Sequence, residues 1–201
     1  MLKDKLSKTV LGVACFGEGA YKSKINGIKT PQYKTWRNML ERCYHPEKRS
    51  STYEKCEVCE EWLNFQNFAK WYDENYYEVF NEKMCLDKDI LVKGNKVYSP
   101  NTCCFVPMSI NNLFIQTTAK RGEYPIGVTR HKRDNKLEVS CNIKGKDIYL
   151  GRFELNEEEK AFQCYKTFKE KHIKDIADEY ERFIPKELYN AMIVWEISIT
   201  D

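Results

Sequence analysis

Two oxygen-bearing residues in the middle of the chain, Asp87 and Asn111, predict a metal site. The apolar stretch MCLDKDILV predicts a strand over residues 84–92, and a Gly-Asn turn at 94–95 predicts a return strand at 97–98. The next residues lead into a short helix that carries Asn111. An aspartate on the first strand of such a ββα unit and an asparagine on its helix can point at one Mg²⁺ or Mn²⁺ ion. An ion beside a scissile phosphate would stabilise the leaving oxygen and the charge of the transition state.

The nine cysteines raise the question of a second metal site. Their odd number and the lack of a secretory signal argue against a disulfide framework. The Cys56-x-x-Cys59 spacing is compatible with structural zinc, with Cys43 and either Cys103 or Cys104 as partners. A second C-x-x-C is missing, so the alternative is that these cysteines are small buried hydrophobic residues. Packing alone is expected for four cysteines with apolar neighbours: Cys15, Cys85, Cys141 and Cys164.

Three segments are predicted to position these residues. Residues 1–31 form an N-terminal β-hairpin arm with an Asn-Gly turn. Residues 32–119 begin with a helix over 32–44, whose apolar residues follow helical spacing, and continue with a second helix over 60–76. A polar stretch then marks the boundary to residues 120–201. The predicted fold class is α+β.

Residues 32–114 resemble the phage HNH (ββα-metal) endonucleases, a group that includes homing enzymes. No single element of the pattern is specific, but its ordered set is matched. The matches are Trp36, Met39, Arg42-Cys43-Tyr44, Val58-Cys59, Trp62, Phe65, Phe68, Leu86-Asp87-Lys88, Tyr98-Ser99-Pro100, Cys103 and Asn111-Asn112. The resemblance implies an HNH-like nuclease domain that cleaves DNA phosphodiesters, with Asp87 and Asn111 as the metal ligands.

Two positions depart from the pattern of that family. Lys88 stands where most of these nucleases carry the histidine that activates water, and Thr102 stands where an asparagine is usual. Either another group activates the nucleophile, or the site is weak or inactive. The candidates for that role are His45, Asp89, Tyr44 and Tyr98. Because a free lysine is protonated at neutral pH, Lys88 is expected to contact a phosphate or an acidic neighbour. The plainer reading of Asp87 and Asn111 is turn and cap chemistry.

Residues 124–153 predict three strands, and the middle one alternates apolar and polar side chains. Asn156 is expected to cap the following helix, which has glutamates in its first turn. Its apolar side would pack on the sheet and leave the other sheet face polar. The tail after residue 175 predicts a helical piece and a short apolar strand.

Residues 124–172 resemble the APETALA/ERF-type DNA-binding domain, in which a three-stranded antiparallel sheet backed by one helix lies in the major groove. The matching segments are Tyr124–Val128, Lys136–Val139, Gly145-Lys146, Leu150–Phe153 and Glu157–Ala161. Phage HNH proteins often carry such a domain after the nuclease. The resemblance places Thr129, His131, Arg133, Ser140, Asn142 and Tyr149 on the DNA side. Further phosphate contacts are expected from Arg130, Lys132, Lys136, Lys144, Lys146 and Arg152. The alternative is an exposed face without a ligand.

Charge is unevenly distributed along the 201 residues. The net charge of +3, from 33 basic and 30 acidic residues, conceals two basic blocks, 1–50 and 120–152, around an acidic block, 54–90. Basic surfaces suit a polyanion, and an acidic cluster suits a divalent cation. No apolar run is long enough to span a membrane. The first residues lack a signal-like stretch, so a cytoplasmic protein is expected, in an infected bacterium if the gene is of phage origin.

The sequence therefore favours a metal-dependent endonuclease that acts on double-stranded DNA, without a membrane partner. The alternative is a DNA-binding protein that retains the HNH scaffold without nuclease activity. A third reading is a phage effector that binds a host protein through the acidic block.

Overall fold

The computed structural model describes residues 10–45, 47, 53, 55–114 and 123–200. The chain divides into two compact units, Met1–Asn111 and Asn112–Asp201, called here the N-terminal and C-terminal units. Helices and strands are mixed in the chain, as the predicted α+β class requires.

The N-terminal unit begins with a short hairpin, β1 (Lys24–Ile25) and β2 (Ile28–Lys29). Asn26 and Gly27 both have positive φ angles, as the predicted two-residue turn requires. Helix α1 (Pro31–Tyr44) follows, and the Thr30 side chain caps it by accepting a hydrogen bond from a backbone N–H of the first turn.

An aromatic core holds the N-terminal unit together. The helical spacing of α1 buries Trp36, Met39, Leu40 and Cys43. Strand β3 (Glu57–Val58), a 3₁₀ turn (Glu60–Leu63) and helix α2 (Phe65–Asn75) follow. The second helix is thus shorter than the predicted 60–76, because Asn64 interrupts it and caps α2 with its side chain. The Trp36 Nε1–H donates to the Trp62 carbonyl at 2.7 Å, which joins α1 to the 3₁₀ turn inside this core.

The strand pairing after α2 differs from the prediction. Strand β4 (Met84–Asp87) pairs antiparallel with β6 (Cys104–Pro107), whereas β5 (Val97–Tyr98) pairs in parallel with β3. β4 stops at Asp87 because its carboxylate accepts the backbone N–H groups of Asp89 and Ile90, which turns the chain away from the ladder. Helix α3 (Met108–Phe114) follows β6 without a loop.

The C-terminal unit contains the predicted three-stranded antiparallel sheet and its packed helix. The sheet order is β7 (Val128–His131), β8 (Lys136–Ile143) and β9 (Lys146–Phe153), and helix α4 (Glu158–Tyr180) packs on it. Leu137, Val139 and Cys141 alternate inward from the central strand and are buried. A bulge lies opposite Val139 and Ser140, where β9 contains one extra residue.

Two local predictions for the C-terminal unit were wrong. Asn156 does not cap α4; the residue before the helix is Glu157, whose carboxylate accepts the Glu154 N–H. Helix α5 (Lys186–Ile193) matches the predicted helical piece, but residues 194–200 form no strand. The backbone N–H and carbonyl of Ile197 bond to side chains of α4, so this backbone is satisfied without a sheet partner. In the described part of the chain, no helix has both the length and the apolar character needed to cross a membrane.

Two glycines with the same backbone angle give a matched test of packing. Gly127 (φ 78°) lies where an added Cβ would come within 2.0 Å of the Tyr165 ring on α4, whereas Gly145 (φ 81°) has open space. We expect Gly127→Ala to destabilise the C-terminal unit by roughly 1–3 kcal/mol more than Gly145→Ala, since both pay for the positive φ but only one clashes. Scanning calorimetry of the two variants measures the difference, and equal losses would refute the proposed steric cause.

Candidate functional sites

The loop after β4 is organised by the side chain of Asp87. Its Oδ1 accepts the Asp89 N–H at 2.9 Å and the Ile90 N–H at 2.8 Å. Burial, followed by the charge of Asp89, raises the pKa of Asp87 to about 6, although the two N–H groups act in the opposite direction. Ionisation of Asp87 therefore costs free energy at this position, and a bound cation would reduce that cost.

Lys88 points into the protein rather than toward solvent. Only 6% of its surface is exposed, and its Nζ donates to Asp89 Oδ2 at 2.8 Å and to the Asn95 carbonyl at 3.2 Å. Its ammonium also lies 5.9 Å from the centre of the Tyr98 ring. Burial lowers the pKa of Lys88, but the hydrogen bond and charge of Asp89 outweigh it, and the net shift is upward. Lys88 thus contacts an acidic neighbour, one of the two partners expected of it, and a protonated, enclosed lysine is unsuited to activate water.

Asn95 holds the other side of the same loop. Its Nδ2 donates to the Lys88 carbonyl at 2.6 Å and to the Val97 carbonyl at 2.7 Å, and its Oδ1 accepts the Val97 N–H at 3.2 Å. Thr102 also donates to the Val97 carbonyl, at 2.8 Å. The sequence identified Asn95 only as part of a turn, because nothing in a Gly-Asn pair indicates that the side chain will bridge two strands.

Asn111 lies on α3, the helix that directly follows β6. It is half-buried, and its side-chain amide makes no hydrogen bond with any other residue that the structure describes. The segment from Asp87 to Asn111 is therefore an antiparallel strand pair followed by a helix. Asp87 lies at the end of its first strand and Asn111 on its helix. Within the described ranges, no group of three or more His, Cys, Asp or Glu side chains is arranged to hold a metal ion.

Three of the four candidates for activating water are already engaged. The Tyr44 hydroxyl accepts the Val58 N–H at 2.9 Å, and burial raises the pKa of Tyr98 far above its usual value. Asp89 is paired with Lys88. His45 ends α1, where its Nδ1 accepts the Glu47 N–H at 3.3 Å.

The cysteines expected to bind zinc do not form a ligand group among the described residues. Cys43, Cys56 and Cys103 are buried in the aromatic core, and Cys59 is half-buried beside it. Burial raises the pKa of Cys103 to about 12 and also raises that of Cys59. Burial thus disfavours the thiolate forms of Cys103 and Cys59 in the protein without a metal. Three of the four cysteines are buried, as the alternative of small buried hydrophobic residues predicts.

The C-terminal sheet presents one face to solvent, called here the open face. The pairing register places side chains on it as partners of those central-strand residues that alternate with the buried ones. The open face carries Thr129, His131, Lys136, Glu138, Ser140, Asn142, Asp147, Tyr149 and Arg152. It includes five of the six residues expected on the DNA side; the sixth, Arg133, lies in the β7–β8 turn. Arg130 instead pairs with the buried Leu137 and donates to Asn135 in that turn.

Carboxylates neutralise the cations at the end of the open face nearest the β7–β8 turn. The Arg152 guanidinium bonds to both Asp134 and Glu138, and Lys136 pairs with Glu154 at 2.6 Å. His131 Nδ1 lies 3.4 Å from Asp134 Oδ2. Asn142 is also engaged, because it donates to Asp147 Oδ1 at 2.7 Å. Arg152 and Lys136, which were expected to contact phosphates, are thus paired with carboxylates of the protein itself.

The unpaired cations lie in or beside the turns at the two ends of β8. Lys132 and Arg133 belong to the β7–β8 turn, and Lys144 and Lys146 lie at the β8–β9 turn. All four are exposed, and none forms an ion pair with another described residue. The central strand has eight residues, so the two pairs are separated by about 24 Å at 3.3–3.4 Å per residue.

Comparison of the chain with protein-family models, curated proteins and solved structures gives no match.

The Lys88–Asp89 contact gives a stability test of the loop. Lys88→Met would leave the Asp89 carboxylate and the Asn95 carbonyl without their partner, so we expect a loss of about 1–3 kcal/mol in the free energy of unfolding. Lys96→Met, at an exposed position of the same loop, serves as the control and should change stability little. Urea denaturation followed by tryptophan fluorescence measures the effect, since Trp36, Trp62 and Trp71 all lie in the N-terminal unit. Equal stability of the two variants would show that the buried contact contributes nothing.

Proposed function

We propose that the chain binds double-stranded DNA through the open face and the two cationic turns of its C-terminal unit. The observation that carries this proposal is that polar side chains and unpaired cations occupy different parts of the sheet. Polar groups able to reach base edges occupy the middle, and the unpaired cations occupy both ends. Phosphate contacts position a protein on DNA, whereas contacts to base edges specify the sequence.

The dimensions of the sheet suit the major groove. That groove is about 12 Å wide and admits a β-ribbon. The two cationic turns, about 24 Å apart along β8, are far enough apart to reach phosphates on both sides of the groove while the open face lies within it. The resemblance of residues 124–172 to the APETALA/ERF-type domain supports the same orientation.

We further propose that the N-terminal unit hydrolyses DNA phosphodiesters with a divalent cation held by Asp87 and Asn111. Support comes from the strand pair and helix that carry the two residues and from the cost of ionising Asp87 without a cation. The side-chain amide of Asn111, which bonds to no other described residue, adds to it. Mg²⁺ commonly takes one or two protein oxygens and completes its shell with water and phosphate, so two ligands suffice. When bound, the ion would stabilise charge on the scissile phosphate.

The second candidate is a DNA-binding protein without nuclease activity. It is favoured by one observation, the enclosure of Lys88 at the position where a water-activating histidine would stand. Of the other candidates, only His45 is not held by a buried contact or an ion pair. Both candidates share the DNA-binding surface and differ only in cleavage.

Cleavage of a supercoiled plasmid separates the two candidates. We expect nicking in Mg²⁺ or Mn²⁺ that stops in EDTA and falls at least about 100-fold in Asp87→Ala, while DNA affinity is unchanged. Asp73→Ala, which removes an exposed carboxylate on α2, is the matched control and should cleave normally. DNA binding without metal-dependent nicking by the wild-type chain would favour the nuclease-inactive alternative.

Salt dependence tests the cationic turns. Each phosphate contact contributes a slope of about −0.9 to a plot of log K against log salt concentration. Replacing Lys132 and Arg133 by alanine should flatten the slope by roughly two contacts, and replacing Lys144 and Lys146 should do the same. Lys171→Ala, at an exposed α4 lysine paired with Asp175, should leave the slope unchanged. A slope that neither double variant alters would rule out both turns as phosphate contacts.

A further inference from the structure

Arg152 is the only described cation on the open face that is bonded to two carboxylates. One terminal nitrogen donates to Asp134 and the other donates to Glu138 Oε2, the latter at 2.9 Å. Asp134 lies in the β7–β8 turn, and Glu138 lies directly opposite Arg152 on β8. The two acids therefore fix the plane of the guanidinium across the sheet.

The surroundings of Arg152 disfavour a phosphate. Two carboxylates with one guanidinium leave the local charge negative, so an approaching phosphate would be repelled by both acids. A phosphate contact would also require Arg152 to leave at least one of its present partners. The four unpaired turn cations carry no such penalty.

Two neutral hydrogen-bond acceptors could bind Arg152 without being repelled as a phosphate is by Asp134 and Glu138. A guanidinium has five N–H donors, and the two carboxylates take two of them. The remaining donors form part of a planar fork, and the side chain is 34% exposed on the open face near the β7–β8 turn. The edge of guanine in the major groove offers two neutral acceptors, O6 and N7, to which an arginine fork binds bidentately.

We propose that Arg152 is a specificity-determining residue that recognises a guanine edge, with Asp134 and Glu138 as positioning residues that orient it. This inference rests on the proposed DNA binding and assigns Arg152 a different role from the phosphate contact expected from the sequence. The acids reduce non-specific attraction to phosphates and limit the rotamers of the arginine before DNA arrives.

The test is enrichment of duplexes bound by the full chain from a random-sequence pool, read by sequencing. Wild-type protein should enrich a site with a guanine at one position, disfavouring other bases there by about 5- to 150-fold. Arg152→Ala and Arg152→Lys should both lose that preference, because lysine keeps the charge but lacks the fork. Lys146→Ala should weaken binding and retain the guanine.

Asp134→Asn gives the complementary result. Removal of the positioning charge should tighten binding to random DNA and reduce the guanine preference, a combination that loss of folding cannot produce. Circular dichroism checks that every variant is folded. The same base preference in wild type, Arg152→Ala and Arg152→Lys would overturn the inference, and so would DNA binding by wild type without any guanine preference. Failure of the wild-type chain to bind any duplex at low salt would overturn the DNA-binding proposal itself, and this inference with it.

Discussion

The architecture of the N-terminal unit around β4 depends on how Asp87 satisfies two backbone N–H groups of its own loop. A strand that continued past this residue would need a partner for each N–H, and the carboxylate provides that partner locally. The chain is therefore released from the sheet at Asp87 and returns only at β6. Lys88 and Asn95 then close the loop from inside. The carboxylate that ends the strand is also the one proposed to hold a cation, so local folding and the proposed chemistry would share one group.

The C-terminal unit obeys a different constraint. One helix can cover only one side of a three-stranded sheet. The central strand accordingly alternates buried apolar side chains with polar ones. The opposite side must then remain polar to stay in water. Its charges are largely matched within the protein, whereas those of the flanking turns are not. In the proposed complex with DNA, this division would separate general attraction to phosphates from discrimination among bases.

The sequence was most informative where apolar side chains recur at a spacing that fits only one kind of secondary structure. Helical spacing identified the buried residues of α1, and alternation identified the sheet and its helix. Pairing of short strands was not predictable, since β5 contains only two residues and the choice between β3 and β4 depends on loop hydrogen bonds made by Asn95. For the open face, five of the six residues that the resemblance placed together lie on one side of the sheet, but the resemblance did not indicate their partners. The sequence does not indicate that Asp134 and Glu138 bind Arg152, because isolated acidic residues in a basic segment form no recognisable pattern. The cysteines show that a motif can also suggest too much. The C-x-x-C spacing indicates a zinc site only when two further ligands lie close to the pair in the fold, and the sequence does not show this.

The bulge in β9 also sets the side-chain phase of the open face. Arg152 and Tyr149 are three residues apart, so ordinary alternation would direct them to opposite sides of the sheet. Leu150, the extra residue between Gly151 and Tyr149, restores the phase and brings both onto the same side. Loss of Leu150 alone would remove the bulge and leave Tyr149 and Arg152 two residues apart, so that ordinary alternation would still direct both side chains outward. The bulge therefore allows β9 to lose one residue at this point and still present Tyr149 and Arg152 on the same face of the sheet.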